Sequence, residues 1–152
     1  MRMGLCLAAA AGLLLSGCVT SGGPTGSEIL AGSVAPRKSR LVLYRTSPLG
    51  LAVQPQYSID GRDVGASTPG GFVVCNLDPG THRVAVGNFQ LTVSLTGGTD
   101  KISVTLRPGQ TGYIKAEPQL GLTVGVITLS EVTEGQGKAD TASLNKLESP
   151  CG

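Results

Sequence analysis

Two segments of the chain alternate strictly between apolar and polar residues, and this alternation constrains the fold more than any other feature of the sequence. Residues 91–95 and 102–106 place Leu, Val or Ile at every second position, with Ser or Thr between them. A period of two buries one side of a strand and leaves the other side in water, which is typical of an antiparallel sheet. The pattern therefore predicts two strands of an antiparallel sheet.

Turn-forming residues separate several further β-rich segments. The chain has 23 Gly and 9 Pro but only 3 Tyr, 2 Phe and no Trp, which favours many turns around a core of Val, Leu and Ile. Asp60-Gly61 lies between β-type flanks and predicts a tight hairpin, because Gly accepts the positive φ of such a turn. Pro79-Gly80 and Pro108-Gly109 mark two more turns. About eight short strands at this spacing predict an all-β fold, an antiparallel β-sandwich.

An apolar run near the N-terminus ends at a cysteine. Residues 4–15 are apolar apart from Gly and follow the basic Arg2. This run is far too short to span a bilayer as a permanent helix and is typical of a secretory signal peptide. The run closes with Leu15-Ser16-Gly17-Cys18, in which small residues directly precede a thiol. This stretch resembles the lipobox of bacterial lipoproteins.

The lipobox resemblance implies cleavage between Gly17 and Cys18 and acylation of Cys18. A single acyl chain binds a membrane only marginally, whereas the two or three chains of a lipoprotein hold it stably. Val19 follows the cysteine where Asp often retains lipoproteins in the inner membrane. The resemblance thus implies the bacterial cell envelope, at the outer membrane and facing the periplasm. An ordinary signal peptide with a chance cysteine, or an uncleaved anchor, is the alternative.

Composition divides the rest of the chain into a linker and one domain. Residues 1–17 are the predicted signal peptide, residues 18–40 a lipidated N-terminus with a flexible linker of Gly, Ser and Pro, and residues 41–152 the β-sandwich domain with a polar C-terminal tail. In that tail, residues 131–137 are predicted as a loop and residues 139–147 as a weak helix that packs lightly or frays. Arg37, Lys38 and Arg40 either contact anionic head groups or form a solvated domain edge.

Two of the four cysteines remain after Cys6 and Cys18 are assigned to the N-terminal segment. Cys75 and Cys151 form an even pair, and the envelope is an oxidising compartment, so a disulfide between them is favoured. It would close a loop of roughly 77 residues and stabilise the domain by about 4–5 kcal/mol before strain. Two free thiols, one in a strand and one at a frayed end, are the alternative.

The domain resembles small bacterial lipoproteins of unknown function whose domains are β-sandwiches of the PEGA and transthyretin-like type. The residues that carry the resemblance form strand and turn motifs: 41–45, 58–65, 71–74, 77–82 and 106–114. Thr46 and Cys75 depart from that pattern. These motifs consist mainly of turn-forming residues, so the resemblance implies a fold and identifies no catalytic residues.

The sequence offers little for catalysis or for binding a metal. His82 is the only histidine and lacks a cluster of Cys or carboxylates at ligand spacing, so we expect it to have a structural hydrogen-bonding role. Asp60 and Asp63 are too few for a Ca²⁺ site that takes six to eight oxygens. The formal net charge of +2 does not indicate the basic patch that a nucleic-acid-binding surface needs. We therefore expect no enzyme, no metal, no cofactor and no nucleic-acid partner.

These features predict a membrane-anchored envelope lipoprotein of unknown molecular activity. The preferred interpretation is a non-enzymatic protein-binding or structural module that docks an envelope protein. One alternative is a module that binds a small ligand or the cell wall, which requires a concave pocket with converging polar groups. Another is an outer-membrane lipoprotein of a secretion or envelope-spanning complex, which rests on analogy of fold.

Overall fold

The computed structural model describes residues 23–87, 100–119 and 126–151. The predicted signal peptide, the lipidation site and the predicted strand at 91–95 lie outside these ranges. Within them the chain forms two short helices and nine strands: α1 (Gly26–Ile29), β1 (Ser39–Arg45), β2 (Gln56–Ile59), β3 (Arg62–Ala66), β4 (Gly71–Leu77), β5 (Gly80–Val86), β6 (Asp100–Leu106), β7 (Thr111–Gln119), β8 (Val126–Val132), α2 (Glu134–Thr141) and β9 (Asn145–Lys146). The all-β prediction is confirmed.

The strands form two sheets. One has five strands in the order β8-β7-β1-β4-β9, and the other has four strands in the order β3-β2-β5-β6. The four-stranded sheet is antiparallel throughout. In the five-stranded sheet β1 pairs in parallel with β7, and β4 pairs in parallel with β9. The prediction of a purely antiparallel fold is therefore wrong for this sheet, because local alternation does not specify which distant strand becomes a neighbour.

The two sheets face each other across a common apolar core. The inward side chains come from alternate positions of each strand, as the period of two requires. The five-stranded sheet contributes Leu41, Leu43, Val73, Cys75, Ile114 and Ala116, and the four-stranded sheet contributes Tyr57, Ile59, Val64, Val84, Val86, Val104 and Leu106. This packing removes both inner faces from water.

The outer face of the five-stranded sheet is buried too. Val42, Tyr44, Phe72, Val74 and Tyr113 form a second apolar cluster there, together with Leu30 after α1 and Leu144 after α2. The Tyr44 hydroxyl donates to the Asp140 carboxylate of α2 at 2.7 Å. The fold thus has three layers: a cover of two short helices, the five-stranded sheet and the four-stranded sheet.

The described structure corrects three predictions. The predicted linker through Arg40 is too long, because α1 packs on the sheet, Thr25 bridges Asn145, and β1 already begins at Ser39. The predicted polar loop at 131–137 is wrong as well: β8 continues to Val132, and α2 begins at Glu134, where the Thr133 hydroxyl caps it by accepting from the N–H of Gln136. The tail beyond α2 forms β9 instead of fraying.

The Asp60-Gly61 hairpin is confirmed. Ile59 faces Arg62 across β2 and β3, and the two turn residues have φ of 50° and 80°. Positive φ at both central positions is the geometry of a type I′ turn, which Asp and Gly tolerate best. The turn fixes where the Asp60 carboxylate lies.

Two glycines of α2 give a matched test of how closely this helix packs on the sheet. A Cβ added at Gly137 would overlap the ring of Tyr113, whereas a Cβ at Gly135 would meet nothing within 4 Å. Gly137→Ala should therefore lower the free energy of unfolding by about 1–3 kcal/mol through overpacking.

Gly135→Ala is the control, since it adds the same methyl group without a clash. It should leave stability unchanged or raise it by up to about 1 kcal/mol through helix propensity. Urea unfolding monitored by circular dichroism measures both variants. Equal stability of the two variants would contradict the close packing of α2 on Tyr113.

Candidate functional site

A groove of about 560 Å³ lies between the β2–β3 hairpin and the C-terminal segment. Its floor is apolar, with Ile59 and Val64 nearly buried. Polar side chains surround this floor on the hairpin and at the end of β4. The lining residues are Ile59, Asp60, Arg62, Asp63, Val64, Asn76, Leu77, Pro150 and Cys151. A concave site with an apolar base and a few polar groups is typical of small-ligand binding.

The disulfide forms one wall of this groove. Cys75 of β4 is bonded to Cys151, with the Cα atoms 5.0 Å apart and a sequence separation of 76. The Ser149 hydroxyl donates to the carbonyl of Val64 at 2.7 Å. The C-terminal segment therefore crosses from the five-stranded sheet to β3, the edge strand of the other sheet.

His82 lies beside the groove and joins two turns. Its Nδ1 is 2.7 Å from Oδ2 of Asp60, and its Nε2 is 2.8 Å from the carbonyl oxygen of Asp78. Both partners are acceptors, so both ring nitrogens must carry protons to complete the two hydrogen bonds. The other Asp60 oxygen, Oδ1, accepts from the N–H of Arg83 at 2.9 Å. The arrangement therefore favours the imidazolium paired with a carboxylate.

The environment shifts both ionisation equilibria toward this pair. Burial disfavours the charged form of His82, but the hydrogen bonds to Asp60 and Asp78 and their charges outweigh burial and raise the pKa of His82. The hydrogen bond from His82, followed by the one from the N–H of Arg83, lowers the pKa of Asp60. The His82 side chain is only 14% exposed, against 50% for Asp60.

The polar residues on the rim of the groove differ in how many hydrogen bonds their side chains already make to the protein. Asp60 is occupied by His82 and Arg83. In the described part of the chain, the side chains of Arg62, Asp63 and Asn76 make no hydrogen bond to another protein group, and all three residues line the groove and are exposed. The rim therefore offers one cation, one anion and one amide to a bound molecule.

Gly17 and Cys18, the predicted cleavage and lipidation sites, lie outside the described residues. Over the described ranges, no group of three or more His, Cys, Asp or Glu side chains is placed to hold a metal ion. Nor does any helix within those ranges have the length and apolar character to cross a membrane.

The buried Arg45 has a role that sequence reasoning did not find. It follows Leu41 and Leu43 on the inward face of β1 and is fully buried. Its guanidinium donates to the carbonyls of Leu49, Gly50, Val53 and Ser67. Burial lowers the pKa of Arg45. The only signal in the sequence was a cation directly after an apolar run and before the Pro and Gly residues of a loop.

The His82–Asp60 pair should make stability depend on pH in two directions. The raised pKa of His82 stabilises the fold fully below the ordinary histidine pKa of about 6.5, and this contribution is lost as pH rises through the folded value. The lowered pKa of Asp60 stabilises the fold above about 3.9, and its contribution is lost as pH falls through the folded value. The pair should therefore stabilise the fold most between about pH 3.9 and about pH 6.5.

The single histidine allows a direct test by NMR, provided that the protein is purified without a histidine tag. Titration of the His82 ring should give a pKa above 6.5 in the wild type. Asp60→Asn keeps a residue that tolerates the left-handed turn but removes the charge, and should lower that pKa. Asp63→Asn, on the same hairpin, is the control and should leave it unchanged. An unaltered titration in Asp60→Asn would refute the pairing.

No family model matches the chain. A protein of Haemophilus influenzae (strain ATCC 51907 / DSM 11121 / KW20 / Rd), described as an uncharacterized protein, is 29% identical to it over 139 residues. The similarity covers 88% of this chain and 77% of that protein. It therefore extends over nearly the whole chain.

Proposed function

We propose that this chain is a lipid-anchored protein of the bacterial envelope, tethered through Cys18, whose β-domain is a non-enzymatic binding module. The observation that carries the binding role is the groove beside Asp60 and Arg62. We take the domain as a β-sandwich of the transthyretin or PEGA-like type, because its two sheets face each other across one core. We place the anchor in the outer membrane because Val19 follows Cys18, and we propose that the domain faces the periplasm.

Two features support the anchor and the compartment. The sequence Leu15-Ser16-Gly17-Cys18 closes an apolar run of the kind found in secretory signal peptides. The disulfide between Cys75 and Cys151 fits an oxidising compartment, in which such bonds form and persist.

The groove supports binding in preference to catalysis. His82 and Asp60, the titratable pair nearest to it, are held in hydrogen bonds to each other and to the backbone. The groups left for a ligand are Arg62, Asp63 and Asn76, which can bind charges and amides but form no unit of nucleophile and base. We infer a small ligand that carries both an anionic and a cationic group, such as a short peptide of the cell wall.

The anchor is tested by replacing its cysteine. Cys18→Ala should abolish membrane association, because no acyl chain can then be attached. Cys6→Ala, which changes the other cysteine of the N-terminal segment, should leave association intact. Fractionation of cells followed by a high-salt wash measures both. Retention of the Cys18→Ala protein on membranes would rule out the lipid anchor.

The groove is tested separately, by NMR with soluble cell-wall fragments. Their addition should shift the amide signals of the β2–β3 hairpin. The double variant Arg62→Gln, Asp63→Asn should weaken binding about tenfold or more, since it removes both charges that face the ligand. Arg107→Gln, which changes a charge on the turn after β6 that does not line the groove, is the control.

A crosslinking experiment separates this proposal from a protein-docking role. A photoreactive side chain at Asn76 in the groove, with one at Glu134 on α2 as the control, is irradiated in living cells. Crosslinks from Asn76 to cell-wall material support the proposal. Crosslinks to one envelope protein, with no shift by cell-wall fragments, would instead make the groove the docking site of a protein partner.

A further inference from the structure

The loop between β1 and β2 exposes the two large apolar side chains that the described residues leave open to solvent. Leu49 is 47% exposed and Leu51 is 65% exposed. Pro48 and Ala52 beside them are exposed as well. From Thr46 to Ile59 the sequence contains no charged residue. The loop therefore presents a small, uncharged apolar tip to its surroundings.

This tip is held in a defined shape. The guanidinium of Arg45 donates to the carbonyls of Leu49, Gly50 and Val53 from within the fold. The N–H of Val53 donates to the carbonyl of Gly50 at 2.9 Å and closes a turn. Gly50 has φ of 68°, which favours glycine. Because the backbone is fixed from inside, the leucines cannot fold back onto the core, and a surface that accepts them has little loop ordering to supply.

The N-terminal segment around Thr25 lies at the same end of the five-stranded sheet as the β1–β2 loop. Arg45 faces Gly71, Gly71 faces Asn145, and Asn145 is bridged to Thr25. Neighbouring strands are about 4.8 Å apart, so Thr25, three spacings away, lies about 14 Å from Arg45. Gly23 lies two residues before Thr25, against Lys146. The five residue-to-residue steps from Cys18 to Gly23 span at most about 18 Å. An acylated Cys18 therefore keeps the β1–β2 loop close to the bilayer surface.

We propose that Leu49 and Leu51 insert into the lipid bilayer to which Cys18 is anchored, and so fix the orientation of the domain on the membrane. This inference rests on the lipid anchor of the proposed function. Two partly exposed leucines are too little to bind a membrane unaided, but the anchor raises their effective concentration at its surface. Insertion also places the uncharged loop in lipid and directs the opposite end of the domain, with Lys38 and Arg107, away from it.

The chain contains no tryptophan, so one introduced tryptophan reports on a single position. The reporter is Leu51→Trp, with Leu49→Trp as a second reporter in case one of them disturbs the loop. The matched control is Pro108→Trp, at an exposed turn position of the opposite end, which leaves every charge in place. The full lipidated protein is reconstituted into vesicles of phosphatidylethanolamine and phosphatidylglycerol, with or without brominated acyl chains, and the emission is recorded.

We expect the tryptophan at 49 or 51 to shift to the blue and to lose intensity with brominated chains, whereas the tryptophan at 108 does neither. Quenching at 108 but not in the loop would overturn the inference, since the opposite end would then face lipid. Protein that floats with the vesicles but is quenched at neither end would also overturn it. The exposed loop would then be a contact site for a protein partner. Protein that does not float at all would refute the lipid anchor together with the inference.

Discussion

The fold depends on β1 being buried on both of its faces. Leu41 and Leu43 point into the core between the sheets, whereas Val42 and Tyr44 point into the second cluster beneath the helices. A strand without a wet face needs cover on each side, so the four-stranded sheet alone is insufficient. The two short helices and the segment around Thr25 supply the second cover. Residues near both ends of the described chain thus become part of the domain.

The sequence predicts the local features of this fold better than its long-range ones. Turn chemistry is local, so Asp60-Gly61 predicted its hairpin correctly, and alternation predicted β6. The run of apolar residues in β1 was a signal for two-sided burial, but its cover could not be predicted, because α2 contains two glycines and no apolar stripe. The parallel pairing of β1 with β7 joins residues about 70 positions apart, and no local pattern specifies it.

The candidate site shows the same division. Asp60 and His82 were each singled out in the sequence, but their pairing depends on β2 and β5 being neighbours in the sheet. The groove itself depends on the C-terminal segment, which is held between the sheets by the disulfide from Cys151 to Cys75 and by the hydrogen bond from Ser149 to Val64. Arg45 could not be interpreted from sequence, since its partners are carbonyls of a loop. A charge satisfied by the backbone leaves no complementary acidic residue to find.

The bridge between Thr25 and Asn145 also determines how the domain responds to a pulling force. Tension applied through the N-terminal segment first loads the hydrogen bonds that Lys146 donates to Pro24 and Gly26 donates to Leu144. The strand that receives this load would peel away easily if its end were free. The covalent link from Cys151 to Cys75 instead passes the force directly to β4, an interior strand of the sheet. Tension on the N-terminal segment is therefore shared between the hydrogen bonds of β9 and a covalent bond to β4.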